Sequence, residues 1–125
     1  MPNHVHLLFS SSEGKPGSFI QSFKSVTAKS IIHSIKTSGK DRRQKWLEWM
    51  LKNEAVHHPT SQYQFWQHDN HPIEVWSNEF IDQKINYIHM NPVKAGLVDK
   101  EYYWKYSSAR NYIFEDHSII EVEML

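Results

Sequence analysis

The chain has 125 residues and a mass of 14.9 kDa, one domain's worth of polypeptide with room for one buried core, so a single domain over 1–125 is expected. A 39% hydrophobic and 14% aromatic content excludes disorder as a description of the whole, and fourteen Lys and Arg against fourteen Asp and Glu exclude a globally basic nucleic-acid coat while leaving room for a local basic face. The absence of Cys removes disulfides, thiolate metal sites and cysteine nucleophiles; with no apolar run of membrane length and no secretory opening, a cytoplasmic protein without a membrane partner is expected.

The first segment, His4-Val5-His6-Leu7-Leu8-Phe9, is apolar on one parity and runs into the turn formers of residues 10–17, which predicts a strand entering a loop. From Ser18 as N-cap, Phe19, Ile20, Phe23, Val26, Ile31 and Ile35 recur mostly at three- and four-residue steps among Lys24, Lys29 and Lys36. That spacing predicts an amphipathic helix of about five turns ending near Ser38-Gly39. A second helix is expected over about Asp41 to Leu51, with Trp46, Leu47, Trp49 and Met50 behind Arg42, Arg43 and Lys45, and Asn53 to Ser61 reads as an exposed loop containing His57-His58-Pro59.

Aromatic and polar residues alternate through Tyr63-Gln64-Phe65-Trp66-Gln67-His68, the pattern of a half-buried strand, and Asp69-Asn70-His71-Pro72 supplies a turn. A third helix, capped by Ser77 or Asn78 and carrying Phe80, Ile81, Ile85 and Ile88, is expected to stop near Asn91-Pro92, with Gly96 marking a further break. Tyr102 to Tyr112 is polar-aromatic and expected to wrap the domain, and Ile119, Ile120, Val122 and Met124 fit a last short strand.

Nine His outnumber four Gly, and placement decides which of them carry chemistry. On a strand, His4 and His6 project from one face about 7 Å apart along the backbone, so two imidazole nitrogens converge on one divalent ion while Val5 points the opposite way, into the core. The pair alone reads equally well as two incidental histidines. Tyr87 and Asn91 are four apart and share a helix face, one with a phenolic hydroxyl and the other with an amide oxygen. The same pair also reads as a packing tyrosine and a helix stop. His89, two residues from Tyr87, points about 160° away from it and is not taken as a ligand.

Three ordered blocks narrow these readings: Met-Pro-Asn-His-Val-His-Leu-Leu at 1–8, Gln-Phe-Trp-Gln-His-Asp-Asn-His-Pro-Ile-Glu at 64–74 and Tyr-Ile-His-Met-Asn-Pro-Val-Lys-Ala-Gly-Leu-Val at 87–98. Together they resemble the HUH-type single-tyrosine transposases of the IS200-like superfamily, nearest to the REP-associated tyrosine transposases. Tyr106-Ser107-Ser108-Ala109 and the closing Ile119 to Leu125 resemble that family's tail, so the likeness covers nearly the whole chain. It implies an α+β fold, an antiparallel sheet with helices packed on one face, ferredoxin-like. It also implies a metal-dependent endonuclease and strand transferase acting on single-stranded DNA with a hairpin.

In that family the two HUH histidines, matched by His4 and His6, bind Mg²⁺ or Mn²⁺ with a polar side chain from the tyrosine helix, matched by Asn91. The tyrosine, matched by Tyr87, attacks a DNA phosphate and forms a 5′-phosphotyrosine. The likeness further implies dimers able to exchange tyrosine helices. Family members place a strand, a helix and another strand before the Met-Pro-Asn-His block, which here opens the chain; a fold truncated at its N-terminus, with an unpaired edge beside the histidine strand, is therefore expected. For DNA contacts, Lys84 and Lys94 flank the tyrosine and asparagine, Lys24 and Lys29 add positive charge, and Trp66 offers a ring for unpaired bases. The competing readings are a non-catalytic DNA-hairpin-binding remnant and a phosphohydrolase that uses water.

Overall fold

The computed structural model describes residues 1–39, 41–57 and 61–124, and these fall into two compact units: residues 10–72, and residues 1–9 together with 73–125. The structure is 51% helical, with no strand among the described residues. That corrects the expected α+β architecture, because no antiparallel sheet is present for helices to pack against.

In the unit of residues 10–72, helix α1 spans Pro16–Thr37 and α2 spans Gln44–Glu54, followed by a 3-10 turn at Ala55–His57. Helix α1 starts two residues before the expected Ser18 cap because Pro16 takes a first-turn position, where its missing N–H goes unused and its fixed φ already suits a helix. Its far end stops where expected, with Gly39 at φ 56°. Gln44 Nε2 closes that end by donating to Lys36 O at 2.9 Å, giving one terminal carbonyl a partner. Asp41 precedes α2 as part of a turn, its carboxylate accepting from Arg43 N at 2.8 Å and from Arg43 Nη2 at 3.0 Å. The inward side of α2 carries Leu47 and Leu51, continued by Ala55 at the start of the 3-10 turn, the last two buried. The expected loop at 53–61 is helical as far as residue 57, and His58, Pro59 and Thr60 lie outside the described residues.

The expected strand at Tyr63–His68 is instead an irregular segment laid along these helices. Its polar backbone groups find partners without a neighbouring strand: Gln64 N donates to Leu51 O at 2.9 Å, and Lys24 Nζ donates to Gln67 O at 2.6 Å. Trp66 Nε1 donates to Thr27 Oγ1 at 2.9 Å, and the Trp66 ring lies 5.9 Å from Phe23 and 5.1 Å from Phe65. Residues 63–66 are all half-buried, without the alternation of a strand, and helix-borne donors and acceptors took the role a sheet ladder would have had.

In the other unit, α3 spans Asn78–Lys94, a 3-10 turn spans Glu101–Tyr103 and α4 spans Ala109–Phe114. Ser77 is the N-cap of α3, its hydroxyl accepting from Phe80 N at 3.2 Å, an arrangement that contributes about 1 kcal/mol. The helix runs three residues past Asn91, through Pro92, before it stops. Pro92 lies inside the last turn, where it lacks the N–H that would reach back to Ile88 O. The end is then sealed by Gly96 N to Val93 O and Leu97 N to Pro92 O, each 2.9 Å, with Gly96 at φ 67°. The buried face of α3 carries His89 and Pro92, with Ile81, Ile85 and Ile88 half-buried beside them.

Tyr102 to Tyr112 holds the 3-10 turn and most of α4, neither of which was expected from the sequence. The tail after α4, expected as a strand, is held by side chains. The buried Asn111 donates from Nδ2 to Ile120 O at 2.6 Å, and Asp116 accepts from Arg110 Nε at 2.7 Å and from Ser118 N at 3.0 Å. The Ser118 hydrogen bonds, with help from Arg110, hold the Asp116 carboxyl down to about 2.

The first segment, His4 to Phe9, likewise joins no ladder. Val5, expected to point into the core, is 52% exposed while His6 is half-buried. With no sheet behind it, the segment is anchored through its histidine.

Candidate active site

His6 is the hub of the candidate site. Asn91 Nδ2 donates to His6 Nε2 at 2.9 Å across 85 residues of sequence, the His4 ring stands 4.9 Å from the His6 ring, and the Tyr87 ring stands 5.6 Å from it. Both ring pairs are nearly perpendicular, at 87° and 82°. Helix α3 supplies Tyr87 and Asn91 one turn apart on one face, and the segment of residues 1–9 supplies the two histidines. All four residues expected to carry the chemistry are therefore gathered in one place within this unit.

The hydrogen bonds assign donors and acceptors on the rings. His4 Nδ1 lies 2.8 Å from Asn3 Oδ1, and because an amide oxygen only accepts, Nδ1 is the donor of that bond. Asn91 Nδ2 only donates, so His6 Nε2 is the accepting nitrogen of a neutral ring. Burial, and then repulsion from His4, push the His6 pKa below the ordinary histidine value, which favours that neutral form. Asn3, which orients His4, was missed from sequence although it sits inside the first quoted block.

This donor set fits a divalent ion. His4 and His6 bring two imidazoles side by side, and a half-turn of the Asn91 amide, which opens its hydrogen bond to His6 Nε2, frees that nitrogen and turns Oδ1 toward it. No group of three or more His, Cys, Asp or Glu gathers among the described residues, so the site contains no cluster of carboxylates. Nitrogen and amide donors of this kind suit Mn²⁺ better than Mg²⁺.

Tyr87 is 47% exposed. Lys94 places its Nζ 5.9 Å from the centre of the Tyr87 ring, and Lys84 places its Nζ 4.7 Å from the centre of the Phe80 ring on the same helix. His89 lies on the buried face, its Nε2 3.0 Å from Ser108 Oγ and its ring 5.3 Å from Tyr112, consistent with its exclusion as a ligand. Burial also lowers the His89 pKa.

The remaining residues expected to touch DNA belong to the unit of residues 10–72. Lys29 is exposed, but Lys24 and Trp66 are engaged internally, the first by backbone carbonyls and the second by Thr27 and two aromatic rings. No family model, curated protein or solved structure matches this chain. No helix among the described residues is long and apolar enough to cross a membrane.

Proposed function

We propose that the chain cleaves and rejoins single-stranded DNA through Tyr87, with His4, His6 and Asn91 holding a Mg²⁺ or Mn²⁺ ion, the chemistry of the HUH-type tyrosine transposases that its motifs resemble. One observation carries this reading: two histidines from the start of the chain meet a tyrosine and an asparagine from α3 around a single imidazole. A structural role alone asks for no convergence of two imidazoles, an amide and an exposed phenol.

The Tyr87 hydroxyl oxygen attacks the phosphorus of a backbone phosphodiester. A P–O bond to tyrosine forms, the P–O3′ bond breaks, the departing 3′ oxygen takes up a proton, and the phenolic proton leaves to solvent at this exposed position. A 3′-OH attacking the phosphotyrosine reverses these steps and rejoins a strand without a nucleotide cofactor, because the phosphodiester's energy is retained in the covalent link. When bound, the divalent ion supplies charge stabilisation to the phosphate oxygens. Asn3 orients His4, and Lys94 adds positive charge beside the attacking ring.

The test is incubation with Mn²⁺ and a hairpin-bearing single strand, followed by denaturing electrophoresis. The wild type is expected to give a covalent protein–DNA adduct that Tyr87→Phe does not form. Equal adduct from both proteins would overturn Tyr87 as nucleophile. Free 5′-phosphate without adduct would assign the attack to water, and binding without cleavage would make the protein a hairpin-binding remnant.

A further inference from the structure

The face of α3 that carries the candidate nucleophile continues beyond it. Phe80, Lys84, Tyr87, Asn91 and Lys94 follow one another at steps of four, three, four and three residues, which aligns them in one stripe along the helix. The acidic residues of α3, Glu79 and Asp82, fall off this stripe at the same periodicity. At the N-terminal end of the stripe stands Trp76, just ahead of the Ser77 cap. Its ring is 5.0 Å from that of Phe80, tilted by 38°, and the residue is 78% exposed. A Trp supported on one side by another ring and left open to solvent is costly to leave uncovered and offers a flat face for stacking. Lys84, with its Nζ over the Phe80 ring, places a cation between this platform and Tyr87.

We infer that Trp76 is a base-stacking platform of the candidate active site. One unpaired base of a single strand lies on its open face, Lys84 meets the intervening backbone phosphates, and the scissile phosphate reaches Tyr87. The separation suits this role: seven residues of helix from Phe80 to Tyr87 span about 10 Å, roughly three nucleotides at the rise of a stacked strand. Aromatic stacking accepts any base, so Trp76 measures spacing from the cleavage point and reads whether a base is unpaired, while leaving base identity unread. The inference rests on the proposed cleavage reading for its geometry, but its ligand, an unpaired nucleotide, can be tested without cleavage.

The experiment uses the full chain carrying Tyr87→Phe, which binds without reacting, and a fluorescently labelled single strand with a hairpin. An abasic residue is moved one position at a time through the unpaired segment, and affinity is read by anisotropy. Trp76→Ala is expected to weaken binding of the intact strand roughly 5- to 100-fold. One abasic position should weaken binding to Trp76 protein by a similar factor and leave Trp76→Ala unaffected, and Trp76→Phe should restore part of the loss. Because Trp76 is exposed, thermal melting of Trp76→Ala should match the parent.

Equal affinity of Trp76 and Trp76→Ala proteins for every strand overturns the inference. So does an abasic profile that the substitution does not change, or a wild type that binds no single strand. Adduct formation by the wild type is scored separately: adduct without a Trp76 effect leaves the cleavage reading intact, and a Trp76-dependent abasic position without adduct leaves the platform intact while the nucleophile assignment falls.

Discussion

The two units use the same residue types to opposite ends. In residues 10–72, Lys24 gives its ammonium to the carbonyls of Gln67 and His68, and Trp66 turns its indole N–H onto Thr27 and its ring onto Phe23. In the unit of residues 1–9 and 73–125, Lys84 and Lys94 lie over aromatic rings, Trp76 stands open to solvent and Tyr87 is half-exposed beside a histidine cluster. A lysine or tryptophan is free for DNA only when the fold has not already claimed its polar atoms. The sharper contrast is in these particular side chains: Lys24 and Trp66 are spent on partners within their unit, while Trp76 stands open to solvent beside Phe80.

The largest break in this contrast is expected at His6. His6→Ala removes the imidazole that Asn91, His4 and Tyr87 all approach, and the Mn²⁺-dependent adduct should disappear. Chelation of the metal should abolish the wild-type adduct in the same gel. Persistence of adduct in either case would separate Tyr87 from the histidines. Next comes Trp66→Ala in the other unit, which strips a half-buried ring from Phe23 and Phe65 and leaves Thr27 without its donor. A loss of about 2 kcal/mol in urea unfolding is expected, with strand affinity of the folded protein unchanged. A loss of affinity without a loss of stability would reverse the roles of the two units.

Smaller still is the lysine comparison. Lys94→Met should flatten the dependence of log affinity on log salt by about 0.7, one phosphate contact on a single strand. Lys24→Met should leave that slope alone and lower stability modestly.

The weakest effect is in pH. Burial lowers the His89 pKa in the folded state, so the neutral ring favours folding above the ordinary histidine pKa. That stability is lost as pH falls from there toward the folded value, where the unfolded chain takes up the proton first. Urea midpoints should therefore drop between pH 7 and pH 5, and His89→Gln should reduce the drop. A midpoint that rises on acidification would contradict the buried neutral ring.

Much of the candidate site could be read from local spacing. The i, i+4 relation of Tyr87 and Asn91 and the place of His89 on the opposite face both follow from helical periodicity, and the Ser77 cap was legible, whereas the stop expected at Asn91-Pro92 falls at Lys94. His4 and His6 stand side by side, but not for the reason expected, since no strand among the described residues presents them. Period-two alternation states only that successive side chains face opposite ways, and it is met as well by a single extended segment docked on helices as by a sheet. The sheet expectation failed there and again at Tyr63–His68, where Gln64 bonds to a helix carbonyl instead of a strand.

By itself, the sequence determined the helices with strong three- and four-residue periodicity, the cap of α3, and the chemical identity of the residues around His6, because these depend on neighbours within a turn or two. Only the tertiary structure decided that His6 meets Asn91 85 residues away, that Lys24 and Trp66 are spent on internal contacts, and that Trp76 is left open beside Phe80. Those outcomes depend on which distant segments satisfy one another's polar groups, a competition that local pattern does not encode.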